Sequence, residues 1–310
     1  MIRTILKKLI ILVLILMISC DPCSDNGGNP DENTFIFYQS INQNGTEVIF
    51  RFDYENFRLR EISSDFRLGK SVNNDYTLIF NEDSIFKVDN YSLVKTLIFE
   101  KEPGIKVENV YLCKDNYLLI LSKDSILYKS DFNNNIEFLD NNVSPNTISI
   151  FENNFAYFKN GNRKLVLGNI INSQVVNKDL IFEFEDLSNL SLSTNSIAFT
   201  NYDLSNSKIY YFDKNLNVID EFIEEKGNIK SFLIKDELYL YNSNNIFKGN
   251  EVIYSDNIFE IDLIEYNSKS KFIFMYTLNE FTSEKDIYYS LYRNGIGSFS
   301  LLINNATAVD

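Results

Sequence analysis

The sequence predicts an all-β body, and three observations carry that expectation. From Thr34 onward, short runs rich in Ile, Val, Phe, Tyr and Leu alternate with Asn, Asp, Ser and Gly, as strands alternate with turns. The chain holds 26 Phe and 19 Tyr, which suit the pleated, half-buried surface of a sheet. Helical periodicity is missing from residues 34–310, a stretch long enough to bury a large core.

The N-terminus has a different logic. Arg3, Lys7 and Lys8 precede an apolar run from Leu9 to Ile18 and then small Ser19 before Cys20, the layout of a secretory signal. The run is shorter than the about 20 residues a membrane span needs. Its ending, Met17-Ile18-Ser19-Cys20, resembles the bacterial lipobox. That resemblance implies cleavage before Cys20 and lipidation of its thiol. The chain then divides into a lipoprotein signal peptide at 1–19, a lipidated cysteine with a flexible tether at 20–33, and a folded body at 34–310. The implied location is the bacterial cell envelope, lipid-anchored, periplasmic or at the cell surface. Loss of Arg3, Lys7 and Lys8 takes the net charge from −14 to −17. So acidic a body is repelled by nucleic acid and by anionic headgroups, so the lipid and not the charge holds it at the membrane. Cys23 falls in the tether. Cys113, inside the apolar run VYLC, reads as a small core hydrophobe, and no disulfide is expected between them.

A repeat organises the body. A polar residue precedes a hydrophobic strand at Asn33, Asp75, Asn116, Asn154, Asn195, Asp236 and Ser270, at intervals of 42, 41, 38, 41, 41 and 34 residues. A second mark ends the following strand: Asp53, Asp89, Asp131 and Asp213, with Asn169 at the same phase. Two neighbouring units share a phrase, EDSIFKVD (82–89) and KDSILYKSD (123–131). A unit of this length holding four short strands resembles a β-propeller blade. The resemblance lies in period and strand phase over 34–310, and it implies six to eight four-stranded blades, with seven as the best count. The first unit lacks an inner strand of its own.

With no histidine in the chain, Ser-His-Asp and Cys-His nucleophiles and the common His-ligated metal centres are excluded. A carboxylate pair could still hydrolyse glycans, but no catalytic residue, metal site or cofactor site stands out. Asp131 to Asn135 and Asp213 to Asp220 alternate oxygen side chains as calcium loops do. They lack the loop glycine and terminal glutamate, and they fall where each unit needs a turn, so turn capping is the expected role. Neither a phosphate-binding glycine loop nor a basic patch interleaved with aromatics is present, and nucleic acid is not an expected partner.

Two families of connections remain. First-to-second and third-to-fourth turns read as short and stereotyped, whereas second-to-third loops and links between units vary, at 100–106, 179–186, 200–207 and 277–285. In a propeller the variable set shares one face, where a partner would bind. Tyr202, Asp203, Glu280 and Phe281 are the expected contacts there. The functional expectation is a non-catalytic binding or scaffold module, by analogy with lipoprotein propellers of envelope assembly. Its partner is an envelope protein or a glycan. A surface glycan or small-ligand binder and a carboxylate-based glycan hydrolase or lyase are the alternatives.

Overall fold

The computed structural model of the protein describes residues 35–309, apart from 42–45, 55, 74, 101–103, 134, 146, 160, 162–163, 183–185, 225–227, 256–259, 268–270, 279–284, 293–294 and 304–305. The described residues contain no helix. They form seven antiparallel blades in a ring, a seven-bladed β-propeller.

The third blade shows the pattern. Val107–Leu112 is innermost, followed outward by Leu118–Ser122, Leu127–Ser130 and Ile136–Asp140. Blade 4 repeats it with Ser149–Phe151, Asn154–Lys159, Lys164–Asn169 and Gln174–Asp179. Blade 6 does so with Lys230–Ile234, Glu237–Tyr241, Asn245–Lys248 and Glu251–Ser255. Blade 7 uses Glu260–Asn267, Phe272–Leu278, Lys285–Leu291 and Ser300–Ile303. In blade 5 the inner strand is broken into Asp186–Leu187 and Ser191–Leu192, both paired with Ser196–Tyr202, and Ser207–Asp213 and Val218–Glu224 lie outside it. Blade 2 begins with Arg67–Leu68 against Tyr76–Phe80, then Ser84–Asp89 and Lys95–Glu100. After Gly69 its inner segment, Lys70–Ser71, pairs in parallel with Tyr111 and Leu112 of blade 3. A Cβ at Gly69 would lie 2.6 Å from Val110 Cγ2, so only glycine lets the chain pass from one blade to the next there.

Blade 1 resolves the missing inner strand. Phe35–Ile41, Glu47–Asp53 and Arg58–Ser63 supply three strands, and Ala306–Val309 supplies the fourth, with Tyr38 opposite Val309 and Gln39 opposite Ala308. The two ends of the folded body thus close the ring and remove an open sheet edge.

The hydrophobic core lies between blades. Leu78, Phe80 and Ile85 of blade 2 pack on Val110, Leu118 and Ile120 of blade 3. Ile36 and Tyr38 of blade 1 pack on Phe272, Phe274 and Ile287 of blade 7, so the closure is apolar as well as hydrogen-bonded. Cys113 is fully buried beside Leu119 and Phe155, and burial pushes its thiol up to about 12.

The repeated polar marks have structural work. Asp53, Asp89, Asp131 and Asp213 accept backbone N–H groups of their own turns, at Asn56, Ser92, Asn133 and Asn215. Asn169 accepts from Ile171. The first-to-second turns staple neighbouring blades: Asn73 Nδ2 donates to Asn116 Oδ1, Asn153 Nδ2 to Asp115 Oδ2, and Asn195 N and Nδ2 to Asp236. Partners are 38 to 43 residues apart, so one repeat length becomes one inter-blade contact.

Candidate functional site

The face bearing the second-to-third turns and the links between blades carries a polar cluster across blades 5, 6 and 7. Each member sits at a strand end. Tyr202 ends the second strand of blade 5, Lys230 opens the inner strand of blade 6, Asp262 lies near the start of the inner strand of blade 7, and Lys285 opens that blade's third strand.

Lys230 is the hub. Its Nζ donates to the Asp262 backbone carbonyl at 2.8 Å, stands 3.9 Å from Asp262 Oδ1, and lies over the Tyr202 ring, 5.2 Å from its centroid. Lys285 Nζ holds the other Asp262 oxygen at 2.6 Å. Burial draws the Lys230 ammonium below the usual lysine range, against the pull of Asp262. Burial likewise raises the Tyr202 hydroxyl, aided by Asp186 and Asp262.

A shallow pocket of about 90 Å³ opens beside this cluster, lined by Asn228, Lys230, Tyr241, Ser243, Glu260 and Asp262. Tyr241 is only 1 % exposed. Burial raises its pKa, against a hydrogen bond with the Ile264 backbone. The Asn228 Oδ1 is buried without a protein partner.

A second cavity, of about 140 Å³, runs among the inner strands of blades 2, 4, 5, 6 and 7. Glu265 of blade 7 projects into it. Its Oε1 accepts from Lys70 Nζ at 2.7 Å and Asn189 Nδ2 at 3.3 Å, and its Oε2 from the Tyr276 hydroxyl at 3.0 Å. Burial would raise this carboxyl, but Lys70 and Tyr276 outweigh burial and hold it low. The ion pair joins blades 2 and 7 across the axis.

The expected contact residues divide. Tyr202 belongs to the polar cluster. Asp203 accepts the N–H groups of Ser205 at 2.6 Å and Asn206 at 2.7 Å, which pull its carboxyl down and make it the cap of its own turn. Glu280 and Phe281, like Cys20, lie outside the described residues. Half of the expected loop 200–207 is strand: Tyr202 pairs with Ser207, and four residues form the turn. Thr200 and Asn201 look loop-like in sequence but are fully buried, with Thr200 Oγ1 donating to Ser231 Oγ and Asn201 Nδ2 to the Asp186 carbonyl. At the tip of this turn Leu204 is 94 % exposed. Sequence reasoning missed Lys230, Asp262 and Lys285, because lone charged residues at strand ends carry no local signature.

No protein-family model and no curated protein matches the chain. Solved structures do. A quinonprotein alcohol dehydrogenase-like protein from Bacteroides thetaiotaomicron superposes with a TM-score of 0.61 at 10% identity, covering 89% of this chain and 78% of that one. An oligogalacturonate lyase in complex with manganese gives 0.56 at 9% identity, over 84% and 87% of the two chains. The dihydro-heme d1 dehydrogenase NirN gives 0.54 at 9% identity, over 95% and 78%. At such identities the likeness concerns the fold alone; the strand pairing of the chain itself makes it a seven-bladed β-propeller.

Proposed function

We propose that the protein is an exported binding module of the bacterial cell envelope, lipid-anchored through Cys20, which engages an envelope partner with the face formed by blades 5 to 7. The observation that carries this reading is the cluster of Tyr202, Lys230, Asp262 and Lys285, drawn from three blades onto the face that bears the links between blades. Partly exposed ion pairs beside an aromatic ring, with the exposed Leu204 two residues from Tyr202, offer charged and apolar contacts to a docking partner. The anchor rests on the lipobox-like Met17-Ile18-Ser19-Cys20.

The module is non-catalytic on this reading. A carboxyl acting as general acid needs a raised pKa, whereas the Ser205 and Asn206 N–H groups hold Asp203 low and Lys70 and Tyr276 hold Glu265 low. Asp262 is held by two lysines.

The test is a mild-detergent pull-down of the natively lipidated protein from its own envelope, with the Cys20→Ala form as control. The expected result is membrane association lost in Cys20→Ala and a stoichiometric protein partner whose capture falls in Lys230→Ala. Persistent membrane association of Cys20→Ala would sink the anchor. A clean preparation without partner would sink the scaffold and leave a ligand-binding module.

A further inference from the structure

Blade 4 differs from the other six at its outer edge. In each of those six, the outer strand carries one residue more than the third strand it pairs with: Ile62, Ile98, Leu139, Ile219, Ile253 or Leu302. Such a bulge bends and twists the strand, so its unpaired backbone groups make a poor template for another chain. In blade 4 all six pairs, from Lys164 opposite Asp179 to Asn169 opposite Gln174, run in unbroken register. Its outer strand is an unbulged edge.

Charge does not guard this edge either. The bulged outer strands of blades 1, 3 and 5 also carry charge inside them, at Arg60, Glu137 and Asp220, a second way of keeping edges apart. The middle of the blade 4 strand is Val175, Val176 and Asn177, with the valines 47% and 46% exposed. Its two charges stand at one end and have partners of their own. Lys178 Nζ donates to the Leu216 carbonyl of blade 5 at 3.2 Å and lies over the Phe212 ring, 4.5 Å from its centroid. Asp179 Oδ1 is 3.3 Å from Lys164 Nζ of its own blade.

We infer that a second copy of the chain adds to this edge, the two blade 4 outer strands pairing antiparallel about a two-fold axis. An unbulged edge pairs along its whole length only with another unbulged edge, and among the seven outer strands blade 4 alone supplies one. The residues are self-complementary under that symmetry. With the axis between Val175 and Val176, Val175 of one copy stands opposite Val176 of the other, which gives one apolar pair on each face of the joined sheet. Lys178 then falls opposite Ser173 and Asp179 opposite Asn172, so no like charges oppose each other. One strand pair is small beside the about 1,200–2,000 Å² of stable interfaces, so the dimer is reversible. This contact is separate from the blade 5 to 7 face and does not depend on it.

The test measures the mass of the full-length protein in density-matched detergent by sedimentation equilibrium across the micromolar range, together with amide hydrogen exchange of residues 174–179. The expected result is a dimer that fills with concentration, exchange in 174–179 that slows as it fills, and association weakened about tenfold or more by Val175→Lys and by Val176→Lys. Val252→Lys, at a valine of similar exposure on the bulged outer strand of blade 6, should leave the dimer intact. Thermal melting checks that each variant is folded. Should a lysine variant melt early, the concentration dependence of exchange in the native protein decides.

The inference is overturned if the mass stays that of one chain, if a dimer forms with exchange at 174–179 unchanged, or if Val175→Lys and Val252→Lys weaken it alike. A monomer that captures an envelope protein through this edge, with capture lost in Val175→Lys, also overturns it, because the edge then pairs with a foreign strand. Loss of capture in Lys230→Ala with the dimer intact leaves both readings standing.

Discussion

Asp236 offers the sharpest test of how the repeat holds the ring together. It sits at φ +65° in the turn joining the first two strands of blade 6 and reaches back to blade 5. Its carboxylate accepts Asn195 N at 2.8 Å, Asn195 Nδ2 at 3.1 Å and Ser196 Oγ at 2.8 Å. Replacement by alanine strands the Ser196 hydroxyl, which is 2 % exposed, at a cost of about 1–2 kcal/mol. The two Asn195 donors are solvent-exposed and add only a few tenths of a kcal/mol each. Alanine also tolerates the left-handed backbone less well than aspartate, by roughly 0.5 kcal/mol. The sum is about 2–3 kcal/mol for Asp236→Ala. Asp236→Asn keeps an acceptor and the backbone tolerance and should lose about 1 kcal/mol or less. At roughly 2–4 °C per kcal/mol, Asp236→Ala should melt about 4–12 °C lower.

The acid limb separates the carboxylate from the turn. Burial alone would raise the Asp236 pKa, but hydrogen bonds from Asn195, Ser196 and Ser193 lower it. A depressed pKa contributes stability above the ordinary carboxyl value and loses it as pH falls through the folded value. The gap between native protein and Asp236→Ala, followed by circular dichroism melting, should hold from pH 7 to about 5 and narrow below about 4. A gap under about 0.5 kcal/mol at pH 7, or one undiminished in acid, would refute the reasoning.

Three further outcomes are expected. Gly168→Ala places a Cβ 2.3 Å from Phe155 Cζ in the blade 3 to 4 core, and should destabilise by about 1–3 kcal/mol in denaturant unfolding. Cys113, buried with its thiol pushed up to about 12, should resist iodoacetamide at neutral pH in the native protein and react once unfolded, as counted by mass spectrometry. Lys70→Met should remove the cation that holds Glu265 low and cost about 1–2 kcal/mol at pH 7, a figure discounted because the Lys70 side chain is 47 % exposed. Because the Glu265 pKa is depressed, that contribution is present above about 4.3 and disappears as pH falls further, which melting at several pH values will reveal.

Much of the architecture was legible in the chain itself. The four-strand unit, its length near 40 residues, the best count of seven and the incomplete first unit all follow from local patterning, because strand alternation and turn chemistry are properties of a few adjacent residues. The aspartates that end the third strands were legible for the same reason: Asp89 and Asp213 bond to their own turns, within four residues. Local patterning also misled. Thr-Asn-Tyr-Asp at 200–203 has the composition of a loop, yet burial against blade 6 makes its first three residues strand.

What spans blades could not be read that way. Nothing in Ala306–Val309 announces that it completes a blade begun some 270 residues earlier, since the pairing depends on how the ring closes and on the packing of Ile36 and Tyr38 against Phe272 and Phe274. Lys70 and Glu265 are 195 residues apart and meet only because inner strands converge on the axis. Tyr202, Lys230, Asp262 and Lys285 likewise become neighbours when three blades stand side by side. The sequence by itself determined the kind of blade and its repetition, through short-range preferences of the backbone. Tertiary structure alone decided which polar groups from separate blades meet on one face, because such contacts depend on how the ring packs, and so which residues form the candidate site and which are turn caps.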